Sequence, residues 1–230
     1  MTQARWLLQT AENQPDAVDW LGPREAAVFA GIRFEKRRSE WLLGRWTAKR
    51  ALAACLALEG HAPRPLSALE IIAAPDGAPE AYLDGRPAPF NLSISHRDGL
   101  AACVVCPAPT VPGCDLEHIE PRSDLFVADY FTPEEQTLVA AAADRDVAAN
   151  LIWSAKECAL KVLREGLRLD TRSVTVSFSE TLATDGWAPV SVQYAAGGRT
   201  FDGWWQRRGD HLFTLVTAPA VAPPEGLRGV

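Results

Sequence analysis

One short helical pattern occurs twice in this chain, about half a chain length apart. The stretches 46–56 (WTAKRALAACL) and 153–163 (WSAKECALKVL) align without a gap, and they share a tryptophan, an alanine, a lysine and a final leucine at matching positions. A repeat at such a distance predicts two similar halves packed together, each with its own copy of the helix, rather than one long domain.

The two copies differ at positions where polar chemistry is concentrated. Arg50 of the first copy lies opposite Glu157 of the second, and Ala54 lies opposite Lys161. If one half has chemistry that the other lacks, the sequence therefore places it in the second half.

The second copy belongs to a longer segment, 151–167 (LIWSAKECALKVLREGL), which we interpret as one helix that ends at Gly166. At about 100° per residue, one face of this helix is apolar and the opposite face is polar. The apolar face comprises Ile152, Ala155, Ala159 and Val162, and the polar face comprises Trp153, Glu157, Lys161 and Arg164. From this helix alone, a solvated i,i+4 pair explains Glu157 and Lys161 as well as a functional site does.

Lysine usage favours the functional interpretation. Only four of the 23 Lys and Arg residues are lysines, and two of them lie in the 151–167 helix; the four are Lys36, Lys49, Lys156 and Lys161. Lysine offers a compact point charge that suits a phosphate oxygen, whereas arginine offers a planar fork. The pattern therefore indicates phosphate binding at this helix.

Bulk properties restrict the class of protein. A chain of 230 residues that is 47% hydrophobic can bury one large core or two small ones. The sequence has no apolar run long enough for a membrane span and no signal-peptide layout at its start, so we expect a cytoplasmic protein. The net charge of −6 argues against general nucleic-acid binding.

The five cysteines lack the spacing of a disulfide framework, so we expect free thiols. Cys103 and Cys106 form a CxxC pair, but they lie in a strand-like segment, LAACVVCPA, without a second ligand pair. This context disfavours zinc.

Each half combines a long helix with several strands. The first helix is predicted over 33–59 and has a cationic set on it: Lys36, Arg37, Arg38, Arg45 and Lys49. Such a run is usually only a solvated face, yet in an acidic protein it also suits an anionic partner. Proline-rich residues 107–112 mark the boundary between an N-terminal lobe, 1–110, and a C-terminal lobe, 111–230.

Two strand ends bear candidate ligands. Ser95 and His96 end the strand NLSISH, where a histidine is either structural or a phosphate contact. In GCDLEHIEPR, Asp115 and Glu117 lie two residues apart and share a face, which indicates either a solvent-facing edge or a metal site. With Glu157 they form an all-oxygen ligand set that suits Mg²⁺ beside a phosphate group.

These motifs resemble those of the 4′-phosphopantetheinyl transferase superfamily, in particular its monomeric surfactin-synthetase-activating type. The resemblance covers most of residues 33–167 in the family's order and spacing. The matching segments are RRSEWLLGRWTAKRAL (37–52), NLSISHRDG (91–99), GCDLE (113–117), FTPEE (131–135) and WSAKECALKVLREGL (153–167).

The resemblance implies a fold and an activity. The fold is α+β, with two similar lobes related by a pseudo-twofold axis, each a small antiparallel sheet packed against a long helix. The activity is Mg²⁺-dependent transfer of the phosphopantetheine arm of coenzyme A to a serine of an apo acyl or peptidyl carrier protein, which releases 3′,5′-ADP. The nucleotide of coenzyme A is expected on the N-terminal lobe, and the metal and the chemistry on the C-terminal lobe.

The resemblance also assigns roles to residues. The implied metal ligands are Asp115, Glu117 and Glu157. The implied catalytic residues are Glu157 and Lys161. The implied contacts to coenzyme A are Arg38, Arg45, Lys49, Ser95, His96, Lys156 and Lys161.

Two other functions stay open at this point. One is a non-catalytic module that binds coenzyme A or a carrier protein, although the presence of all three acids and Lys161 argues against it. The other is a Mg²⁺-dependent phosphohydrolase, which would give no role to Trp153 or to the duplicated halves. The sequence does not indicate which carrier pathway is served, and a monomer is expected because one chain supplies both halves.

Overall fold

The structure is a computed structural model that describes residues 3–179 and 186–227. The chain divides into two compact units. One unit runs to Val111 and also takes in the chain from Pro224 onward, and the other comprises Pro112–Pro223.

The first unit contains two helices and the first six strands of the described residues. In chain order they are β1 (Arg5–Thr10), α1 (Pro23–Gly31), α2 (Glu35–Leu58), β2 (Leu69–Ala73), β3 (Pro79–Leu83), β4 (Arg86–Pro87), β5 (Phe90–Arg97) and β6 (Leu100–Pro107). The second unit follows with β7 (Val111–His118), α3 (Asp124–Tyr130), α4 (Pro133–Ala141), α5 (Arg145–Leu163), β8 (Val174–Phe178), β9 (Ala188–Tyr194), β10 (Arg199–Arg208) and β11 (His211–Ala218). A short last strand, β12 (Glu225–Gly226), returns to the first unit.

A four-stranded sheet in the order β12-β1-β6-β5 forms the centre of the first unit. Strand β12 pairs with β1 in parallel, and the remaining pairs are antiparallel. Helix α2 packs on this sheet through small and aliphatic side chains, of which Ala48, Ala51 and Leu52 are fully buried. Strands β2, β3 and β4 form a separate three-stranded sheet.

The second unit has a single described sheet of five strands, in the order β7-β11-β10-β9-β8. Helix α5 packs mainly against β11 and also contacts β8 and β9. The apolar face that the sequence predicts for α5 is the buried one, since Ile152, Ala155 and Ala159 have no exposed surface and Val162 has 7%. The predicted α+β class is therefore confirmed, and each unit has a sheet packed against a long helix.

Two segments are more ordered than the sequence indicates. Residues 1–22 show no clear pattern, yet β1 lies inside the main sheet of the first unit. The sequence predicts a loose tail over 217–230, of which the structure describes residues up to Leu227. There, β11 extends to Ala218 and β12 pairs with β1, with the N–H of Leu227 donating to the carbonyl of Trp6. Short strands of two to six residues have too few side chains to show a period.

Helix α5 ends earlier than predicted. Arg164 adopts the left-handed conformation, with φ of 61°, and its N–H bonds back to the carbonyls of Leu160 and Lys161. Gly166, predicted as the end, lies in the following turn at φ of 53°. A left-handed residue closes a helix by this hydrogen bonding whether or not it is glycine.

Two further features complete the description. No helix in the described part of the chain is both long and apolar enough to cross a membrane. The five cysteines are all buried free thiols, as predicted.

Candidate functional site

Strand β7 and helix α5 approach each other unusually closely at Gly113. A Cβ atom at Gly113 would lie 2.0 Å from the backbone oxygen of Cys158, so only glycine fits there. The acids of β7 begin two residues after Gly113, and Glu157 precedes Cys158 on α5. The glycine therefore allows the acidic segment of β7 to lie next to the polar positions of α5.

Lys161 of α5 forms an ion pair with Asp115 of β7. Its ammonium nitrogen lies 3.0 Å from Oδ1 of Asp115 and donates to the carbonyl of Cys114 at 2.7 Å. Burial disfavours the charge of Lys161, but the Asp115 carboxylate outweighs burial, and the pKa of Lys161 lies above its usual value. The side chain of Lys161 remains 29% exposed, and its ammonium is charged.

Glu157 lies near the same pair. Burial raises the pKa of its carboxyl group, the Lys161 ammonium lowers it, and the Asp115 carboxylate raises it again; the net shift is upward. Glu157 and Asp115 are thus close enough for their like charges to interact. A carboxylate with a raised pKa is a stronger base than an ordinary one.

Glu117 is held by two other side chains. The indole N–H of Trp153 donates to Oε1 at 3.1 Å, and Nη2 of Arg122 lies 3.3 Å from Oε2. Each β7 carboxylate therefore has its own cation, Lys161 for Asp115 and Arg122 for Glu117. These two cations explain why two carboxylates can lie on the same face of one strand.

Arg122 and Asn150 are candidate site residues that the sequence interpretation missed. Nε of Arg122 donates to Oδ1 of Asn150 at 2.8 Å, and the Asn150 amide donates to the carbonyls of Glu120 at 2.7 Å and Asp146 at 2.8 Å. Asn150 has no exposed surface. A buried amide that ties the residues after β7 to α5 holds Arg122 against Glu117. The only sequence signal was an Arg a few positions after the two acids.

The three predicted metal ligands provide oxygen donors of the kind that Mg²⁺ prefers. Among residues 3–179 and 186–227, however, no three His, Cys, Asp or Glu side chains are grouped closely enough to hold an ion. A bound ion at this position would replace the contacts that Lys161 and Arg122 now make. The donor chemistry fits Mg²⁺, and the site residues remain a proposal.

Lys156, predicted to contact coenzyme A, is fully buried. It forms an ion pair with Glu135 at 2.8 Å and donates to the carbonyls of Thr171 at 2.8 Å and Val174 at 2.6 Å. These three acceptors match its three protons. Burial lowers the pKa of Lys156, and the Glu135 carboxylate opposes that shift.

Glu135 itself sits at the third position of α4, in a capping box. Its Oε2 accepts from the N–H of Thr132 at 2.8 Å, and its Oε1 accepts from the N–H of Val176 in β8 at 2.7 Å. We call Glu135 and Lys156 the second lysine–glutamate pair.

The first unit contains the same arrangement. Glu25, the third residue of α1, accepts from the N–H of Gly22 at 3.0 Å and from the N–H of Ile71 in β2 at 2.9 Å. It pairs with Lys49 of α2, which is also fully buried and donates to the carbonyl of Trp20 at 2.7 Å. We call Glu25 and Lys49 the first lysine–glutamate pair.

These positions bear on the prediction that Lys49 and Lys156 contact coenzyme A. Both side chains are fully buried, so a ligand cannot reach either ammonium group, and each ammonium donates to acceptors of the protein itself. In the structure, these two lysines form buried ion pairs with glutamates rather than an exposed phosphate-binding surface. A buried ammonium can satisfy a carboxylate and backbone carbonyls together, with protons in three directions.

A pocket with a volume of ≈ 590 Å³ lies between α2 and β5 in the first unit. We call it the α2 pocket. Its cationic and imidazole side chains outnumber the single acid, Glu40. The side chains that define it are Lys36, Arg37, Glu40, Trp41, Arg45 and His96.

Arg45 is the most informative residue of the α2 pocket. Its Nε is buried without a hydrogen-bond partner, and its guanidinium lies 4.9 Å from the centre of the Trp41 ring. Burial lowers the pKa of Arg45, and the charge of Glu25 opposes that shift. The guanidinium lines the pocket, and a guanidinium suits an anion such as phosphate.

The other residues predicted to contact phosphate do not all lie in the α2 pocket. His96 is exposed and lines the α2 pocket with Ile94, whereas Ser95 is 7% exposed and, by strand alternation, lies on the opposite face of β5. Arg38 does not line the pocket: its Nη1 donates to the carbonyls of Phe29 at 3.2 Å and Ile32 at 3.0 Å, at the end of α1. Of this predicted set, the pocket gathers Arg45 and His96.

Comparisons with known proteins bear on the second unit. The family model of the 4′-phosphopantetheinyl transferase superfamily matches residues 112–189. A holo-[acyl-carrier-protein] synthase from Leptothrix cholodnii is 39% identical over 67 residues, which are 28% of this chain and 51% of that protein. The chain thus spans about half the length of the curated relative that it matches.

A solved structure, that of holo-[acyl-carrier-protein] synthase from Thermotoga maritima, is 20% identical, with 57% of this chain and 76% of that chain covered and a TM-score of 0.37. Such a score leaves the two folds only loosely comparable. The family match, by contrast, begins one residue before Gly113 and includes Asp115, Glu117, Glu157 and Lys161. The similarity to the 4′-phosphopantetheinyl transferase superfamily thus lies within the second unit.

Proposed function

We propose that this protein transfers the 4′-phosphopantetheine arm of coenzyme A to a serine of an apo acyl or peptidyl carrier protein, with Mg²⁺, and releases 3′,5′-ADP. The observation that supports this most is the group of Asp115, Lys161 and Glu157, placed where Gly113 brings β7 against α5 inside the family-matched segment. The relative's name, a holo-[acyl-carrier-protein] synthase, supports the same chemistry.

The reaction is a displacement at the phosphorus that bears the pantetheine arm. The serine oxygen forms a bond to that phosphorus, the bond to the bridging oxygen of 3′,5′-ADP breaks, and the serine proton has to be taken up. Glu157 is our candidate acceptor for that proton, directly or through a water molecule, because its carboxylate lies near the Asp115–Lys161 pair.

Lys161 would stabilise the leaving group. Its side chain is partly exposed beside Asp115, and its ammonium would neutralise the negative charge that grows on a diphosphate oxygen. Asp115 and Glu157 would hold Mg²⁺. Glu117 would join them if it gave up its present contacts with Arg122 and Trp153. The bound ion would supply further charge neutralisation on the phosphate oxygens.

We propose that the α2 pocket binds a phosphate-bearing part of coenzyme A through Arg45 and His96. Support comes from the positions of Arg45 and His96 in the pocket lining and from the excess of cationic side chains there in an acidic protein. The duplicated framework further favours the type of transferase made of two similar halves, active as a monomer in the cytoplasm.

The test is the intact mass of an apo carrier protein after incubation with this protein, coenzyme A and Mg²⁺. We expect the carrier to gain the mass of phosphopantetheine, and Glu157→Ala to abolish that gain. Arg50→Ala, at the corresponding position of the first copy, is the matched control and should behave as the wild type does.

Two outcomes would redirect the proposal. Binding of coenzyme A without transfer to any of several carriers would favour a non-catalytic binding module. Turnover of coenzyme A in water without a carrier would favour a phosphohydrolase.

A further inference from the structure

We propose that each lysine–glutamate pair is a positioning device for the ligand-binding face of its own long helix. The second pair, Glu135 and Lys156, sets where α5 presents Glu157 and Lys161. The first pair, Glu25 and Lys49, sets where α2 presents Arg45. The ligands of these two helix faces rest on the proposed function. The positioning role rests on the ion pairs and hydrogen bonds that each pair makes.

The second pair joins four parts of its unit at one buried point. Glu135 belongs to α4 and accepts from Val176 of β8, while Lys156 belongs to α5 and donates to the carbonyls of Thr171 and Val174. Lys156 immediately precedes Glu157 in the chain. A shift or rotation of α5 that these contacts prevent would move Glu157 and Lys161 relative to Asp115.

The first pair has equivalent connections. Glu25 of α1 accepts from Ile71 of β2, and Lys49 of α2 donates to the carbonyl of Trp20. Arg45 lies one helical turn before Lys49. The Glu25 carboxylate also acts on Arg45 directly, since its charge works against the lowering of the Arg45 pKa by burial.

Stability alone does not account for two such pairs. A buried ion pair gains little over well-packed apolar side chains of similar volume, because both charges lose their hydration. An ion pair with defined hydrogen bonds does, however, restrict its helix to one position, which apolar packing does less strictly. The same geometry recurs in both units, in each case within a few residues of the candidate ligand contacts on the same helix.

The experiment compares two matched double variants, Glu135→Gln with Lys156→Met and Glu25→Gln with Lys49→Met. Neither double variant leaves a lone buried charge. Mn²⁺ binding is followed by the electron paramagnetic resonance signal of free Mn²⁺, and coenzyme A binding without metal is followed by calorimetry. Thermal unfolding identifies a temperature at which every protein is folded, and all binding is measured there.

We expect opposite patterns in the two variants. The second-pair variant should bind Mn²⁺ about tenfold more weakly, as residues that support metal ligands commonly do when changed, and its affinity for coenzyme A should fall less. The first-pair variant should bind coenzyme A about tenfold more weakly and Mn²⁺ as the wild type does.

Equal losses of both affinities in both variants, or unchanged affinities despite lowered stability, would overturn the proposal. If a double variant does not fold, Lys156→Arg and Lys49→Arg take its place, because they retain the charge but displace it. Lys156→Arg should then weaken mainly Mn²⁺ binding, and Lys49→Arg mainly coenzyme A binding. A wild type that binds both ligands but transfers nothing would remove the proposed function, and the split would still decide the positioning role. A wild type that binds neither ligand would overturn both.

Discussion

The two units share a framework and differ in chemistry. In each, a short helix begins with proline and has glutamate at its third position, and a long helix contributes a buried lysine to that glutamate. The second unit adds carboxylates on β7 and α5, whereas the first adds an arginine-rich pocket on α2. The comparison teaches that the repeated residues build the framework, and that candidate function lies where the copies diverge.

The two long helices also meet their sheets differently. At Gly113 the backbone of α5 leaves no room for a Cβ atom, whereas a Cβ at Gly44 of α2 would lie 3.4 Å from the side chain of Ile94, an ordinary contact. The second unit therefore depends on a glycine for the approach of its acidic strand, and the first unit does not.

The largest effect that would sharpen this comparison concerns position 157 and its counterpart. Glu157→Gln should lower the rate of phosphopantetheine transfer about 10³-fold because it removes the proposed base and a proposed metal-binding oxygen. Arg50→Gln should leave the rate within about twofold, since Arg50 belongs to the first unit and lies over the Trp46 ring. Single-turnover transfer to an apo carrier measures the rate of each variant. Equal losses of rate would contradict the assignment of the chemistry to the second unit.

The next effect concerns the two glycines. Gly113→Ala should reduce the free energy of unfolding by about 3 kcal/mol because its methyl group meets the backbone of Cys158. Gly44→Ala should change it by less than about 1 kcal/mol, since the contact is ordinary and alanine favours the helix. Urea unfolding of the two variants gives the comparison, and a Gly113→Ala protein as stable as the wild type would contradict the close approach.

A smaller effect is expected within α2. Arg45→Gln should weaken binding of coenzyme A about tenfold, because a charged donor in the α2 pocket is lost. Arg38→Gln should leave that affinity nearly unchanged and instead lower stability slightly, since Arg38 donates to the carbonyls at the end of α1. Calorimetric titration distinguishes them, and the reverse ranking would show that Arg38, as the sequence suggested, contacts the ligand.

The smallest effect is a pH dependence from the first lysine–glutamate pair. Burial lowers the pKa of Lys49 in the folded protein, so unfolding takes up a proton between that lowered pKa and the usual lysine value. Stability from this group therefore rises as pH increases through that window. Urea unfolding between neutral and alkaline pH should show the wild type gaining on the Glu25→Gln, Lys49→Met double variant; a constant difference would mean that the Lys49 pKa is not lowered.

The helical period of 151–167 was enough to predict the faces of α5, because periodic side chains report which face is buried, and the family resemblance implied the α+β class. Neither showed where the ammonium groups of Lys49 and Lys156 lie. A sequence pattern shows that an ammonium is retained, but not whether its acceptor is a phosphate or a buried carboxylate. The partner acids were visible in LGPRE and FTPEE, two Pro-x-Glu segments at similar distances before the two copies.

Other parts of the site could not be read from the sequence. Arg122 reaches Glu117 only because Asn150, buried on α5, holds the residues after β7, and this contact joins positions 28 apart in the chain. Ser95 and His96 are neighbours in sequence but lie on opposite faces of β5 by strand geometry. Long-range hydrogen bonds and the choice of solvent face depend on packing, which no local pattern specifies.

The pairing of β12 with β1 has a consequence for synthesis. The four-stranded sheet takes its edge strand from residues that follow the whole second unit in the chain. A ribosome must therefore release all of Pro112–Pro223 before β1 can gain that neighbour, and until then the free edge of β1 presents unpaired backbone groups to other chains. The second unit, whose described strands are contiguous, has no such delay, so during translation the half that emerges first is the one completed last.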